Sequence, residues 1–256
     1  MKRLITIPLA VVLCLPFGMA AAGDEAETIK QAVLAPQEAG WAPHDFKTYM
    51  SQWADKAQIV IARGEKPGKY DTVFNRKQIE ATRQLLMQDK PAQNHKITFA
   101  NVKVTVDGNE AELRLRSTLA VGEDYQIADE IFQLRKTSTG WKVQVNRGWL
   151  IKAKFGKAVI TYDADTWKKL DEDADQLLKS DRRGDKTVQA LLLAFRFQEA
   201  HALAKKITVR KDVTAADWAQ RGQAAMDAGD AGDAVAAFRQ ALKLDKNAAV
   251  PPFARK

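Results

Sequence analysis

The sequence predicts an α+β fold followed by an all-helical region, and three observations carry that prediction. Apolar residues recur with helical period up to Leu86, with period two from Ile97 to Val145, and with helical period again from Trp167 onward. The turn pairs Asp107-Gly108 and Thr139-Gly140 punctuate the middle stretch as hairpins. Residues 164–248 are rich in Ala, Leu, Lys and Asp and carry little strand character. Helices followed by a meander of long antiparallel strands imply helices packed on one sheet face, because that apolar face needs cover.

Composition narrows the classes further. The 256 residues are 46% hydrophobic and 28% charged, which excludes collagen-like, disordered and multi-span membrane chains. One cysteine and three histidines argue against a disulfide scaffold or a cysteine-rich zinc site. No ligand spacing connects His44, His95 and His201, so no metal and no cofactor is expected.

Taken in order, residues 1–22 read as an export signal: Lys2-Arg3, an apolar run from Leu4 to Met19, then Ala20-Ala21-Ala22. The run is shorter than a spanning helix needs and is broken by Pro8 and Pro16. Cys14 lies inside it, between Leu13 and Leu15, without the small preceding residue of a lipid attachment site. Cleavage would remove two of the charges that make the chain +8, leaving +6 and no cysteine, which suits an oxidising periplasm. Domains are expected at 23–160 and 161–256.

Glu25 to Ala35 carries a helical stripe, Ile29, Ala32 and Val33, which Pro36 should end or kink. A second helix starts at His44-Asp45, with Asp45 as N-cap and Phe46, Tyr49, Met50 and Trp53 on one face. A third starts at Asn75, with Gln78 in the capping-box position. Ile97, Phe99, Val102, Val104 and Val106 then alternate imperfectly, followed by Ala111, Leu113, Leu115 and Leu119 on the return strand. Ile131 to Thr137 and Trp141, Val143, Val145 make the last two strands. In the helical region, Trp167, Leu170, Ala174, Leu177 and Leu178 form one stripe, Ala190 to Ala204 forms another helix, and two more follow.

From Trp218 the chain reads Trp218, Gly222, Gly229, Ala234, Phe238, Ala241, Leu244-Asp245. These offsets resemble a tetratricopeptide repeat, in which small residues let two helices approach and an aromatic fills the gap. Arg221, Ala225 and Lys246 depart from the pattern. Ala200 lies 34 residues before Ala234, the repeat's period, so a degenerate second unit is expected. The resemblance implies a groove for a protein segment, with Trp218 and Arg221 as candidate partner-binding residues, the partner being an envelope protein or peptide.

The first half carries WAPHDFKTYMSQWADKAQIVI from Trp41, then KITFANVKVTVDGNEAELRLR and FQLRKTSTGWKVQV. Residues 24–150 thereby resemble the nuclear transport factor 2-like superfamily (SnoaL-like, cystatin-like). The resemblance implies a cone: helices plugging a curled antiparallel sheet around an apolar pocket. Its isomerase members hold a general-base Asp on the strand after the second helix. The matching stretch here, Ala54-Asp55-Lys56-Ala57-Gln58-Ile59-Val60-Ile61, puts Ile61 at that position, which cannot move a proton. Tyr49, Trp53 and Tyr125 are the candidate ligand-binding residues. Pairing through the open sheet face, as in such cones, makes a homodimer an expectation.

Residues 131–162 hold seven basic and no acidic residues, and Asp163 to Asp175 holds six acids and two lysines. The contrast suggests charge-assisted docking of the halves, with Trp167 and its stripe supplying most of the contact. Exported chains meet little nucleic acid, and no motif for it is present. The expectation is therefore an exported, non-catalytic binding or adaptor protein. The alternative is a small-molecule enzyme or carrier acting through the cone pocket on an apolar small molecule. A buried, titrating Asp or Glu in the pocket divides the two.

Overall fold

The computed structural model describes residues 19–41, 44–88, 95–181 and 184–255. Most of the segment expected to be an export signal, including Lys2, Arg3, Pro8, Cys14 and Pro16, lies outside the described residues.

Three helices open the fold: α1 (Met19–Trp41), α2 (Phe46–Ser51) and α3 (Arg76–Leu86), with β1 (Trp53–Ala62) and β2 (Thr72–Asn75) between the last two. The meander follows as β3 (His95–Asp107), β4 (Glu110–Val121), β5 (Asp124–Thr137), β6 (Gly140–Phe155) and β7 (Ala158–Thr161). Strand order is β2-β1-β6-β5-β4-β3, with β7 added to the end of β6. Among the described residues, only the β1–β6 pair is parallel. Ile29 and Val33 of α1, Tyr49 of α2 and Ile79 of α3 pack on Leu113, Phe132 and Val143 of the sheet. This is a curled antiparallel sheet plugged by helices on one face, followed by a helical region.

Local signals place several elements. Asp45 caps α2 by accepting from the Thr48 N–H at 3.0 Å. Asn75 and Gln78 form a reciprocal capping box on α3. Gly108 and Gly140 turn their hairpins with φ of +57° and +104°. The imperfect alternation of β3 has a physical cause: the register with β4 shifts between Ala100 and Lys103, with Asn101 at φ +55°. This bulge carries the apolar set from odd to even positions.

Other elements depart from expectation. α1 runs through Pro36 to Trp41. Proline removes one ladder bond, but tertiary contacts hold the last turn: Gln37 is buried and bonded to Gln52, and Gly40 lies under the Tyr49 ring, where a Cβ would sit 2.4 Å from a ring carbon. α2 ends at Ser51, and Trp53, Ala54 and Asp55 belong to β1, where Trp53 pairs with Val143 of β6 ahead of a register shift that runs to Gln58. Val145 is not among the buried residues: the β5–β6 register shifts between Gln133 and Leu134, so Val143 and then Asn146 are buried.

The helical region comprises α4 (Ala164–Ser180), α5 (Asp185–Leu193), α6 (Phe197–Ile207), α7 (Ala215–Asp227) and α8 (Ala231–Leu244), closed by a 3-10 turn at Pro252–Arg255. The single helix expected over 190–204 is two helices, broken at Phe195, whose φ is +53°. Leu178 is exposed rather than part of the packed stripe; Trp167 and Ala174 are buried. In the α7–α8 hairpin, Gly222 meets Phe238 so closely that a Cβ would lie 2.5 Å from the ring. No helix among the described residues is long and apolar enough to cross a membrane.

The two halves meet along a built seam. Arg63, at the end of β1, forks onto Asp171 of α4 at 2.7 and 2.9 Å and also donates to the Ala194 carbonyl. Its guanidinium stacks over Tyr70 at 4.2 Å and Trp167 at 5.0 Å. Tyr162, Trp167, Phe195 and Phe197 continue the contact as a chain of rings 4.9–5.1 Å apart in sequence order. The docking charge on the cone side is thus Arg63, not the basic strip of β6, where Arg147 binds Asp71 and Lys142 binds the Ser51 carbonyl. A second contact joins α3 to the α7–α8 turn: Gln78 Nε2 donates to the Gly229 carbonyl at 3.2 Å.

Candidate functional site

The cone encloses a cavity of about 360 Å³, within the size range of small-molecule sites. Its floor is the inner face of the sheet, including Ile59, Ile61, Leu119, Ala128 and Leu150. One wall is α1–α3, through Trp41, Tyr49, Ile79 and Arg83. The helical region supplies another: Gln223, Met226 and Asp227 of α7, with Pro251 and Phe253 from the C-terminal tail. The cavity therefore belongs to both halves.

Its polar centre lies on three adjacent strands. Glu130 of β5 receives one hydrogen bond on each carboxyl oxygen: Ser117 Oγ of β4 donates at 2.5 Å, and Asn146 Nδ2 of β6 donates at 3.1 Å. Ser117 pairs with Ala128 and Asn146 with Phe132, so each stands diagonally across from Glu130 on the same face. Asn146 reaches that face through the β6 register shift; unbroken alternation from Val143 would have aimed Arg147 inward instead. Burial pushes the Glu130 carboxyl above the usual carboxylate range, against the opposing pull of Ser117, Asn146 and the Arg83 charge. A carboxyl so placed keeps a lone pair on each oxygen for a ligand and holds its proton more tightly than an exposed glutamate does.

Two further groups shape the field. Asp227 ends α7 at the cavity wall and is partly buried; desolvation pushes it up to about 6, with Gln223 Nε2 donating at 3.0 and 3.1 Å. The Tyr49 hydroxyl is also pushed up by burial, and feels both the Arg83 and Glu130 charges.

Of the candidate ligand-binding residues, Tyr49 lines the cavity. Trp53 is buried in the core beside Tyr49, their rings 5.9 Å apart, and does not line it. Tyr125 does not line it either: alternation along β5 gives the inner face to Gln126, Ala128 and Glu130. Ile61 does line the cavity, and the carboxyl that the sheet contributes to it is Glu130 of β5. The candidate partner-binding pair is engaged internally: Arg221 forks onto Asp233 and donates to Thr208 Oγ1, and its guanidinium stacks over Trp218.

His201, Asp230 and Asp233 bring ligand-type atoms within 4.8 Å of one another. Asp233 is already matched by Arg221 and Asp230 accepts from the Asp233 N–H as the α8 cap, so the cluster reads as structural. Glu130 escaped the sequence reading because the β5 signal was placed from Ile131 onward. An acid directly before that apolar run was the available clue.

No protein-family model and no curated protein matches the sequence. Solved structures similar to the chain are nuclear transport factor 2-like or cystatin-like cones matching about half of it. One is a protein of unknown function from Pseudomonas putida KT2440, 16% identical, covering 50% of this chain and 87% of its own, with TM-score 0.41. Another is a putative dehydratase of that family from Streptomyces avermitilis, 18% identical, covering 51% and 98%, with TM-score 0.41. A third, with a cystatin-like fold, is from Novosphingobium aromaticivorans, 18% identical, covering 52% and 85%, with TM-score 0.39.

Proposed function

We propose that the chain is an exported small-molecule protein whose cavity binds an apolar ligand and moves a proton through Glu130. One observation carries this reading: a carboxyl set in an apolar cavity, held on both oxygens and pushed toward neutrality. Of the two functions weighed from the sequence, this is the feature that favours the small-molecule reading over the adaptor. A carboxylate base gains strength as its proton affinity rises, and burial moves Glu130 in that direction. Ser117 and Asn146 fix the carboxyl's rotamer, so its free lone pairs have one direction. The helical region acts in this reading as the cavity's outer wall, and its repeat-like hairpins serve the chain's own cone.

The test has two parts. Native mass spectrometry of the mature protein isolated from its own envelope should show a retained small-molecule adduct. Incubating wild type with a small-molecule extract in deuterium oxide should then label one or more compounds, and Glu130→Gln should slow that labelling by about 10²-fold or more. A bare protein together with no labelling above the Glu130→Gln background would refute the reading and return the search to protein partners of α5–α8.

A further inference from the structure

We propose that the cavity takes a small monocarboxylate with an apolar body, its head anchored by Arg83. This rests on the pocket reading above and names the ligand class. Arg83 lines the cavity from α3, with its guanidinium 4.0 Å from the ring centre of Trp41 and 5.0 Å from that of Tyr49. Other part-buried arginines are satisfied within the fold. Arg63, Arg147, Arg196 and Arg221 each hold a carboxylate, and Arg76 donates to the Met50 and Trp53 carbonyls. Arg83 forms no ion pair among the described residues.

A guanidinium cannot shed its proton to escape that situation. Lying over aromatic faces and close enough to influence the Tyr49 hydroxyl and the Glu130 carboxyl, it still has more donors than those groups use and can offer the rest of its fork to an anion in its plane. The adjacent Thr82 also lines the cavity, and its buried Oγ1 has no hydrogen-bond partner among the described residues. Together they offer a charged fork and a hydroxyl beside one another on α3.

The cavity limits the charge of the head. Glu130 and Asp227 line the same space, so a doubly charged phosphate would meet one cation and two carboxyl groups. A single carboxylate matches the one arginine in charge and carries half the repulsion toward those two carboxyl groups. The remaining walls, among them Ile59, Ile61, Leu119, Leu150 and Phe253, fit an aliphatic or aromatic body.

The experiment is isothermal titration of the full mature chain with decanoate, decanol, decylamine and decyl phosphate, all below their aggregation limits. Decanoate should bind about tenfold or more tighter than decanol, the strength of one charge-assisted fork. Arg83→Gln should erase that preference and leave decanol unchanged, while Arg83→Lys should retain part of it. Circular dichroism checks that both variants fold; if Arg83→Gln does not, a weakened but surviving preference in Arg83→Lys is the expected result. Equal binding of decanol, tighter binding of decylamine or decyl phosphate, or an Arg83→Lys variant identical to wild type would overturn the proposal while leaving the pocket standing. Binding of none of the four would remove the pocket reading along with it.

Discussion

Replacing Asp227 with Asn should stabilise the protein at neutral pH, and the gain should vanish in acid. Asp227 sits at the C-terminal end of α7, against the negative end of that helix, with Gln223 as its hydrogen-bond donor. Desolvation moves it from the ordinary aspartate value of 3.8 to about 6 in the folded chain. The folded state therefore holds this proton more tightly than the unfolded state does. Its contribution is fully present below about pH 3.8 and is lost as pH rises to about 6, remaining flat above. At about 1.36 kcal/mol per pKa unit the loss is about 3 kcal/mol, reduced to roughly 1–3 kcal/mol because the wall position retains some solvent. Asn keeps the contact with Gln223 and removes the charge. Urea unfolding of wild type and Asp227→Asn at pH 4, 5, 6, 7 and 8 reads the difference directly, since every other titrating group is common to both chains. The two stabilities should converge near pH 4 and separate by pH 7, with the variant higher. Parallel curves would refute the reasoning, and a variant less stable at pH 7 would show that the carboxylate has a favourable partner.

Three further outcomes are expected. Trp167→Ala removes a ring that touches Tyr162, Phe195 and the Arg63 guanidinium; a loss of about 3–5 kcal/mol should appear as faster proteolysis within residues 156–165, and unchanged resistance there would deny the seam its role. Gly222→Ala places a methyl 2.5 Å from the Phe238 ring, so thermal melting should show a loss of about 1–3 kcal/mol, with Phe238→Leu in the same chain recovering part of it. Gly229→Ala is disfavoured twice, by φ of +81° and by a Cβ 3.0 Å from Phe74; hydrogen exchange should rise both in the α7–α8 turn and at the start of α3 if that turn docks on the cone.

Much of the fold was legible in the sequence because its signals are local. A capping box needs only Asn75 and Gln78, a hairpin turn needs Asp107-Gly108, and the change from helical to alternating period is visible within a few residues. Even the β3 bulge left a trace, as the slip from Phe99 to Val102. The apolar positions Leu113, Val143, Ala174, Ala234 and Phe238 are all buried as their stripes require.

What the sequence could not determine is which neighbours would arrive from far along the chain. Pro36 argues locally for a helix end, yet α1 continues because Tyr49 and Gln52 pack against its last turn. The direction of Glu130 is unreadable locally: Ala128 and Phe132 on its own side and Ile127 and Ile131 on the other are all apolar, so parity alone gives no inside. Register with Ser117 and Asn146 decided it, and Asn146 took part only through a shift in β6. The cavity itself depended on a longer reach still, since Asp227 and Phe253 close a space opened by β-strands more than 70 residues earlier. Periodicity and caps act over one turn or one hairpin and were fixed by neighbouring side chains; the site was made by tertiary contacts, which only the folded chain brings within range.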